Sequence, residues 1–240
     1  MPERRAELAV RLTEVRARIA EACTAAGRRP DEVTLVAVTK TYPASDVLHL
    51  AALGVGDIGE NRDQEAAPKA AAVAATGAEV RWHFVGQLQR NKCRSVAGYA
   101  ALVHSVDNVR LAGALARAAA GRDVPLEVLV QVSIDGDPGR GGAVHGDGVE
   151  PDRQVARVAE AVAAATTLRL RGVMAVAPLD WAPRRAFERL AEVAAALRAD
   201  HPTADLVSAG MSADLEEAVT FGATHVRIGS ALLGKRAPLR

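Results

Sequence analysis

Aromatic residues are scarce in this 240-residue chain: two Trp, two Tyr and three Phe make up 3% of it. That disfavours an aromatic-rich sandwich core, and the abundant alanine suits closely packed helices instead. Cysteine is almost absent. Cys23 and Cys93 are far apart and outside any CxxC pattern, which argues against a disulfide framework and excludes a cysteine zinc site. Excess charge is missing too. The formal balance of +1 disfavours a chain that coats nucleic acid or a polybasic membrane binder, though it permits a local basic pocket. No run approaches the roughly 18 apolar residues of a membrane span. The opening "MPERRAELAVRLTEVRARIAEAC" is charged throughout and has no apolar signal core. The expectation is a cytosolic protein with no nucleic-acid and no membrane partner. No GxGxxG or P-loop pattern is present.

What is present is rhythm. Leu8, Leu12, Val15 and Ile19 recur at spacings of three and four, which predicts an amphipathic helix over 3–26 stopped by Gly27. Beyond it, short apolar or β-branched runs alternate with alanine-rich helical segments. Strands are expected at 33–39, 55–58, 81–85, 101–104, 126–133, 168–175, 205–208 and 224–228. Helices are expected at 45–53, 61–75, 88–97, 107–120, 149–165, 182–198 and 212–221, with a short one after 230. Such alternation implies parallel strands joined by crossovers. About eight units at this length predict an α/β fold, a single (β/α)8 TIM barrel with an additional N-terminal helix. The doubly wound sheet is the rival. No linker splits the chain, so 1–240 reads as one domain. "SIDGDPGRGGAVHGDGVEP" reads as a long loop after the fifth strand, a mobile lid or plain disorder.

A barrel gathers functional groups at the C-terminal ends of its strands. Lys40 stands there after the first strand, and Glu60 and Asn61 stand there after the second. Ser208, Gly210 and Ser212 follow the seventh, and Gly229 and Ser230 the eighth. Glycine lets backbone N–H groups approach a ligand, a helix N-terminus favours an anion, and serine adds a donor. The loops after strands seven and eight are a frequent phosphate site in barrels. The plainer reading is helix capping, with Ser212 or Asp214 as N-cap and Asp214 with Glu217 as a capping box. Arg227 lies inside a strand, and buried arginines are normally paired. It is either half of a salt bridge across the barrel or a fixed donor for a ligand acceptor. A lysine partly removed from water loses its proton more readily and attacks carbonyls. A phosphorylated aldehyde would therefore satisfy both ends of this rim. His83, His104 and His225 lie in or near strands without HxH or HxxxH spacing. They read as hydrogen-bonded core residues, and no metal site is expected. Met174 should point into the barrel.

Seven motifs occur in order: "AVTKTYP", "GENRDQE", "RWHFVGQLQRNK", "VHSVDN", "LRGVMAVAP", "LVSAGMSADLEEAV" and "HVRIGSALLG". Together they resemble the YggS/PROSC-type pyridoxal phosphate homeostasis proteins, from roughly residue 30 to 235. The resemblance implies one barrel like the N-terminal domain of alanine racemase. It implies pyridoxal 5′-phosphate (PLP) held as an aldimine, a Schiff base, on Lys40. Asn61 would lie near the ring. Ser208, Met211, Ser212, Gly229 and Ser230 would surround the phosphate, and Arg227 would face the pyridine nitrogen. It also implies a binding, storing or delivering role in vitamin B6 homeostasis, with PLP-requiring apo-enzymes as recipients and no catalytic residue. The loop at Pro138–Arg140 departs from the serine–lysine pair associated with many members.

The residues agree with a non-catalytic role. Strong carbanion chemistry wants a protonated pyridine nitrogen, and an arginine can only donate to it. Alanine racemase adds a tyrosine from a second domain, and this sequence ends about ten residues after the eighth strand. Tyr42 and Tyr99 are its only tyrosines. The competing readings are a PLP-dependent amino-acid racemase and a cofactor-free Schiff-base aldolase. A single closed barrel is expected to be a monomer.

Overall fold

The computed structural model describes residues 2–137, 141–146 and 149–234. Eight strands, β1 (Thr34–Val38), β2 (Asp57–Glu60), β3 (Arg81–Phe84), β4 (Ala100–Val106), β5 (Leu126–Gln131), β6 (Leu168–Met174), β7 (Leu206–Ser208) and β8 (His225–Ile228), pair in sequence order and close into a barrel. Every pairing is parallel, including β1 with β8. The helices are α1 (Pro2–Ala25), α2 (Ala44–Ala52), α3 (Asp63–Ala74), α4 (Cys93–Tyr99), α5 (Val109–Ala118), α6 (Val155–Ala163), α7 (Pro183–Asp200), α8 (Leu215–Thr220) and α9 (Ser230–Leu233). The expected barrel is the observed one, and the doubly wound rival is excluded by closure.

Successive strand side chains alternate between barrel interior and helix layer. On β1, Ala37 and the partly buried Leu35 join the core beneath α1 and α2. Val36 and Val38 point inward, where a Cβ built on Gly59 of β2 would touch both. Leu102, Leu129 and Met174 form a separate small cluster with Leu206 inside the barrel. Met174 thus points inward, as expected.

Helix α1 covers one flank. Leu8, Leu12, Val15, Ile19 and Ala22 are buried with Val47, Leu50, Leu215, Val219 and Leu232 of α2, α8 and α9. It ends in a Schellman turn, Arg28 N donating to Cys23 O and Gly27 N to Thr24 O. Arginines along and just after α1 donate to carbonyls at other helices' C-terminal ends, where intrahelical partners are lacking. Arg4 reaches Leu233 O at 3.0 Å, Arg16 reaches Gly54 O at 3.1 Å, and Arg28 reaches Val219 O and Ala223 O at 2.9 and 2.8 Å.

Several boundaries differ from the sequence expectation, most by a residue or two, and three have a local cause. The second strand begins at Asp57, because Val55 N still closes the turn leaving α2 by donating to Leu50 O. Glu60 is therefore the last strand residue rather than part of the exit. Short 3-10 turns, Arg90–Lys92 and Pro151–Arg153, open the stretches before α4 and α6 and shorten both helices. The loop after β5, expected as a mobile lid or plain disorder, is tied to the barrel where it is described. Ser133 N and Ala143 N tie it to the strand end, Val144 bonds both ways to Arg153 and Val155, and Ala143 is fully buried. The departure at Pro138–Arg140 lies outside the described residues.

Candidate functional site

Lys40 continues the inward alternation of Val36 and Val38 two residues past the end of β1. Its backbone is anchored from behind. Thr39 N donates to Gly59 O at 2.9 Å, extending the ladder by one residue. Tyr42 N and Lys69 Nζ both donate to Thr39 O, at 3.0 and 2.9 Å. Lys69 pairs with Glu60 at 2.5 Å, and the Thr39 hydroxyl donates to the same carboxylate oxygen at 2.6 Å. Glu60 is fully buried, and its other oxygen, Oε2, has no partner among the described residues. Thr41 takes φ +66, a strained conformation for a β-branched residue. Its N–H is held by Glu65 at 2.9 Å. The chain therefore turns sharply away, and Lys40 stays at the rim. Lys40 itself is exposed, so the desolvation expected for it is not supplied by the surrounding protein.

The loops after β7 and β8 meet beside this turn. Ser212 Oγ and Ser230 Oγ are 3.4 Å apart, and Ala231 N donates to Ser212 Oγ at 3.4 Å. Arg18 of α1 holds Ser212 O at 3.1 Å. Gly210 sits at φ +88, and a Cβ there would come within 2.6 Å of Ala218 Cβ, so only glycine lets the loop pack on α8. Met211 is 39% exposed. Gly229 lies against the end of β1, where an added Cβ would meet Val38 O at 3.6 Å. Asp214 takes the N-cap position of α8, but the capping box does not form. Its carboxylate makes no side-chain cap bond to α8 and accepts from Met211 N at 2.6 Å instead.

Ser208 is not with the other serines. It is fully buried inside the barrel, accepting from Arg227 Nη1 at 2.7 Å and lying 2.9 Å from His104 Nδ1. Arg227 is buried and makes no salt bridge among the described residues. Its guanidinium reaches across the end of β7 to β6, donating to Ser208 O at 2.7 Å and Ala175 O at 2.8 Å. Those carbonyls are at the C-terminal ends of their strands, the face on which barrels bind ligands. Three of the five guanidinium N–H groups are thereby used. Nε–H and one Nη2 hydrogen have no acceptor among the described residues. Burial pushes the Arg227 pKa down to about 10, against the pull of Asp214, so the group is still a cation at neutral pH.

Asn61 follows β2, with its backbone against Gly86. A Cβ on Gly86 would sit 2.1 Å from Asn61 O. Asn61 lines a cleft of about 420 Å³ with Arg62, Phe84, Gln87 and Lys92. Lys40, Met211, Ser212, Gly229 and Ser230 thus share the β7–β8–β1 rim. Ser208 and Arg227 lie beneath it, and Asn61 stands on the next strand.

The strand histidines are hydrogen-bonded core groups, as expected. His83 Nδ1 lies 2.9 Å from His104 Nε2, and His225 Nδ1 lies 2.9 Å from Thr224 Oγ1. Burial and the neighbouring His83 push His225 down to about 4. Tyr42 donates its hydroxyl to Gly234 O at 2.8 Å. The Tyr99 hydroxyl is buried without a partner among the described residues, and burial, then the charges of Asp63 and Glu60, raises its pKa well above the usual phenol. The Thr39–Glu60–Lys69 group was not singled out from sequence. Its signal is a lysine on the face of α3 that buries Ala66, Ala70 and Val73.

Residues 10–237 match the family model of the alanine racemase N-terminal domain. A Mycobacterium leprae protein named pyridoxal phosphate homeostasis protein is 43% identical over 97% of this chain and 94% of its own length. The protein of the same name from Escherichia coli K12 is 37% identical over 96% of this chain and 97% of its own. Among solved structures, PipY of Synechococcus elongatus PCC7942, described with PLP bound, superposes with a TM-score of 0.79 at 31% identity, covering 95% of this chain and all of that one. Alanine racemase of Clostridium difficile shares the fold, with a TM-score of 0.70 at 13% identity, and this chain covers 58% of it.

Proposed function

This chain belongs to the pyridoxal phosphate homeostasis proteins built on the alanine racemase N-terminal domain, and we propose from that premise that it binds PLP at the β7–β8–β1 rim. Lys40 is the residue that holds the aldehyde. Ser212, Ser230 and the backbone from Gly229 receive the phosphate, with Met211 beside them and Ser208 beneath. Arg227 faces the pyridine nitrogen, and Asn61 approaches the ring from β2. The observation that carries this reading is Arg227: a buried cation without a carboxylate partner, with two N–H groups unspent, at the ligand-binding end of the barrel. A donor so placed fits a ring nitrogen that accepts.

When bound, PLP supplies an electrophilic aldehyde joined to an electron-withdrawing ring. The chain's own residues restrict the use of that reactivity. Arg227 donates to the nitrogen and supplies no carboxylate to hold it protonated. Neither tyrosine is poised as a base: Tyr42 is tied to Gly234 O, and Tyr99 packs partly buried in the helix layer with its hydroxyl out of solvent. A racemase's opposing tyrosine base thus has no counterpart among the described residues, and this supports the non-catalytic reading over the racemase one. The reading is a cytosolic, monomeric carrier that keeps the aldehyde bound and delivers it to PLP-requiring apo-enzymes, with no catalytic turnover of its own.

The test is a visible spectrum of the purified protein with PLP, followed by borohydride reduction and peptide mass mapping. A yellow protein bleached on reduction, with the pyridoxyl phosphate mass on Lys40, is expected. A protein that takes up no PLP, or carries it on another lysine, overturns the assignment. Chiral analysis after incubation with L-alanine should show no D-alanine.

A further inference from the structure

Beneath Arg227 a hydrogen-bonded chain crosses the barrel. Asp57 Oδ1 lies 2.9 Å from His83 Nε2, His83 Nδ1 lies 2.9 Å from His104 Nε2, and His104 Nδ1 lies 2.9 Å from Ser208 Oγ. Ser208 Oγ in turn accepts from Arg227 at 2.7 Å. His83, His104 and Ser208 are each fully buried. Asp57 is the first residue of β2, at the floor of the barrel, and lines a cavity of about 470 Å³ under α1 with Arg16 and Thr34.

The chemistry of the two ends dictates every proton between them. An ionised carboxylate only accepts, so His83 donates from Nε2. A neutral His83 then accepts at Nδ1, so His104 donates from its Nε2. A neutral His104 accepts at Nδ1, so Ser208 donates its hydroxyl proton there. Its oxygen is left to accept from Arg227, which can only donate. Reversing any one bond sets two donors or two acceptors face to face in a dry interior, which is costly. Charging either imidazole buries a second cation and leaves the Ser208 hydroxyl hydrogen without an acceptor in the chain. Other groups agree. Burial, with the Arg227 cation nearby, holds the His104 pKa well below the usual imidazole. Burial raises the Asp57 carboxyl, but the bond from His83 and the charge of Arg81 outweigh it, and the net shift is down.

We propose that Asp57, His83 and His104 are positioning residues. They form a one-directional chain of donors, from Arg227 to Asp57, that fixes Ser208 as an acceptor and so holds the guanidinium with its free N–H groups toward the rim. That consequence for the ligand rests on the PLP reading above. The proton arrangement itself does not.

Two measurements test it. Nitrogen-15 NMR of histidine-labelled protein without PLP should show His83 and His104 both neutral at pH 7, protonated at Nε2 and bare at Nδ1. An Nδ1–H tautomer or an imidazolium at either ring overturns the inference, whatever PLP does. The second compares His104→Gln with His104→Leu. A glutamine amide can accept from Ser208 and donate to His83, so His104→Gln should keep the Arg227 Nη1–H signal, bonded to Ser208, and bind PLP within about threefold of the parent. Leucine breaks the chain at both sides. His104→Leu should broaden that signal and weaken PLP binding about tenfold or more, the equivalent of one charge-assisted hydrogen bond. Equal behaviour of the two variants overturns the positioning role. If the parent protein fails to bind PLP, the functional reading fails while the NMR result stands.

Discussion

Lys69→Met should be among the most damaging single substitutions in the helix layer. Lys69 and Glu60 form an ion pair with side chains 7% and 0% exposed. Removing one member of a buried pair costs about 3–5 kcal/mol, because the survivor's charge is left without compensation. Here the survivor is badly placed. Among the described residues, Glu60 Oε2 already lacks a partner, and Oε1 would keep only the Thr39 hydroxyl. A domain stability of about 5–15 kcal/mol makes such a loss a large fraction of the whole. In urea, with a slope of about 3 kcal/mol per M, the midpoint should fall by roughly 1–1.7 M. The double variant Glu60→Leu/Lys69→Met removes both charges and should recover much of the loss, since apolar replacement of a buried pair is often neutral. The rim should register the change as well. Lys69 also holds Thr39 O, one residue before Lys40, so Lys69→Met should slow adduct formation at Lys40 more than it weakens phosphate-dependent binding. A midpoint shift under about 0.3 M would refute the reasoning, because it would mean that the pair is solvated. A double variant as unstable as the single would refute it differently, by showing that packing and not charge sets the cost.

Stability should fall in acid through the buried histidines. His225 has a folded pKa of about 4 and an unfolded value near 6.5. Below about pH 6.5 the unfolded chain binds the proton and the folded one does not, so stability is complete above that value and is lost as pH falls toward 4, by about 3 kcal/mol in total. Urea midpoints from pH 4 to 8 check this, and His225→Gln should flatten the slope by its share. Gly86→Ala should destabilise by about 1–3 kcal/mol, since its Cβ would meet Asn61 O at 2.1 Å. It should also shift the spectrum of bound PLP if Asn61 approaches the ring, whereas unchanged stability would mean that the two loops separate freely.

The barrel was legible because its rhythm is simple. "TLVAV" and "LEVLVQ" are short runs that only a strand buried on both faces accepts, and the alanine-rich stretches between them suit helices. Lys40 and the rim serines could be placed because strand ends could be placed. What stayed hidden depends on geometry that no periodicity encodes. The start of β2 moved because Val55 N bonds backward to Leu50 O. Asp214 abandoned its helix for Met211 N because that loop folds back on itself. Arg227 offered two readings, and only the fold shows that carbonyls and Ser208, not a carboxylate, receive it. The partners of His83, Asp57 and His104, come from the neighbouring strands β2 and β4, and local sequence is silent on which side chains meet inside a closed barrel.

The arginines of α1 bear on how the protein is made. Arg18 bonds to Glu216, 198 residues later, and Arg4 to Leu233 O, 229 residues later. On the ribosome the first helix emerges with its apolar face bare and waits for almost the whole barrel to be synthesised before α8 and α9 arrive to cover it. Through that interval Leu8, Leu12, Val15 and Ile19 are an exposed stripe of the kind chaperones bind and aggregates recruit. Helix α1, translated before the barrel strands, is thus fully covered only after the eighth of them.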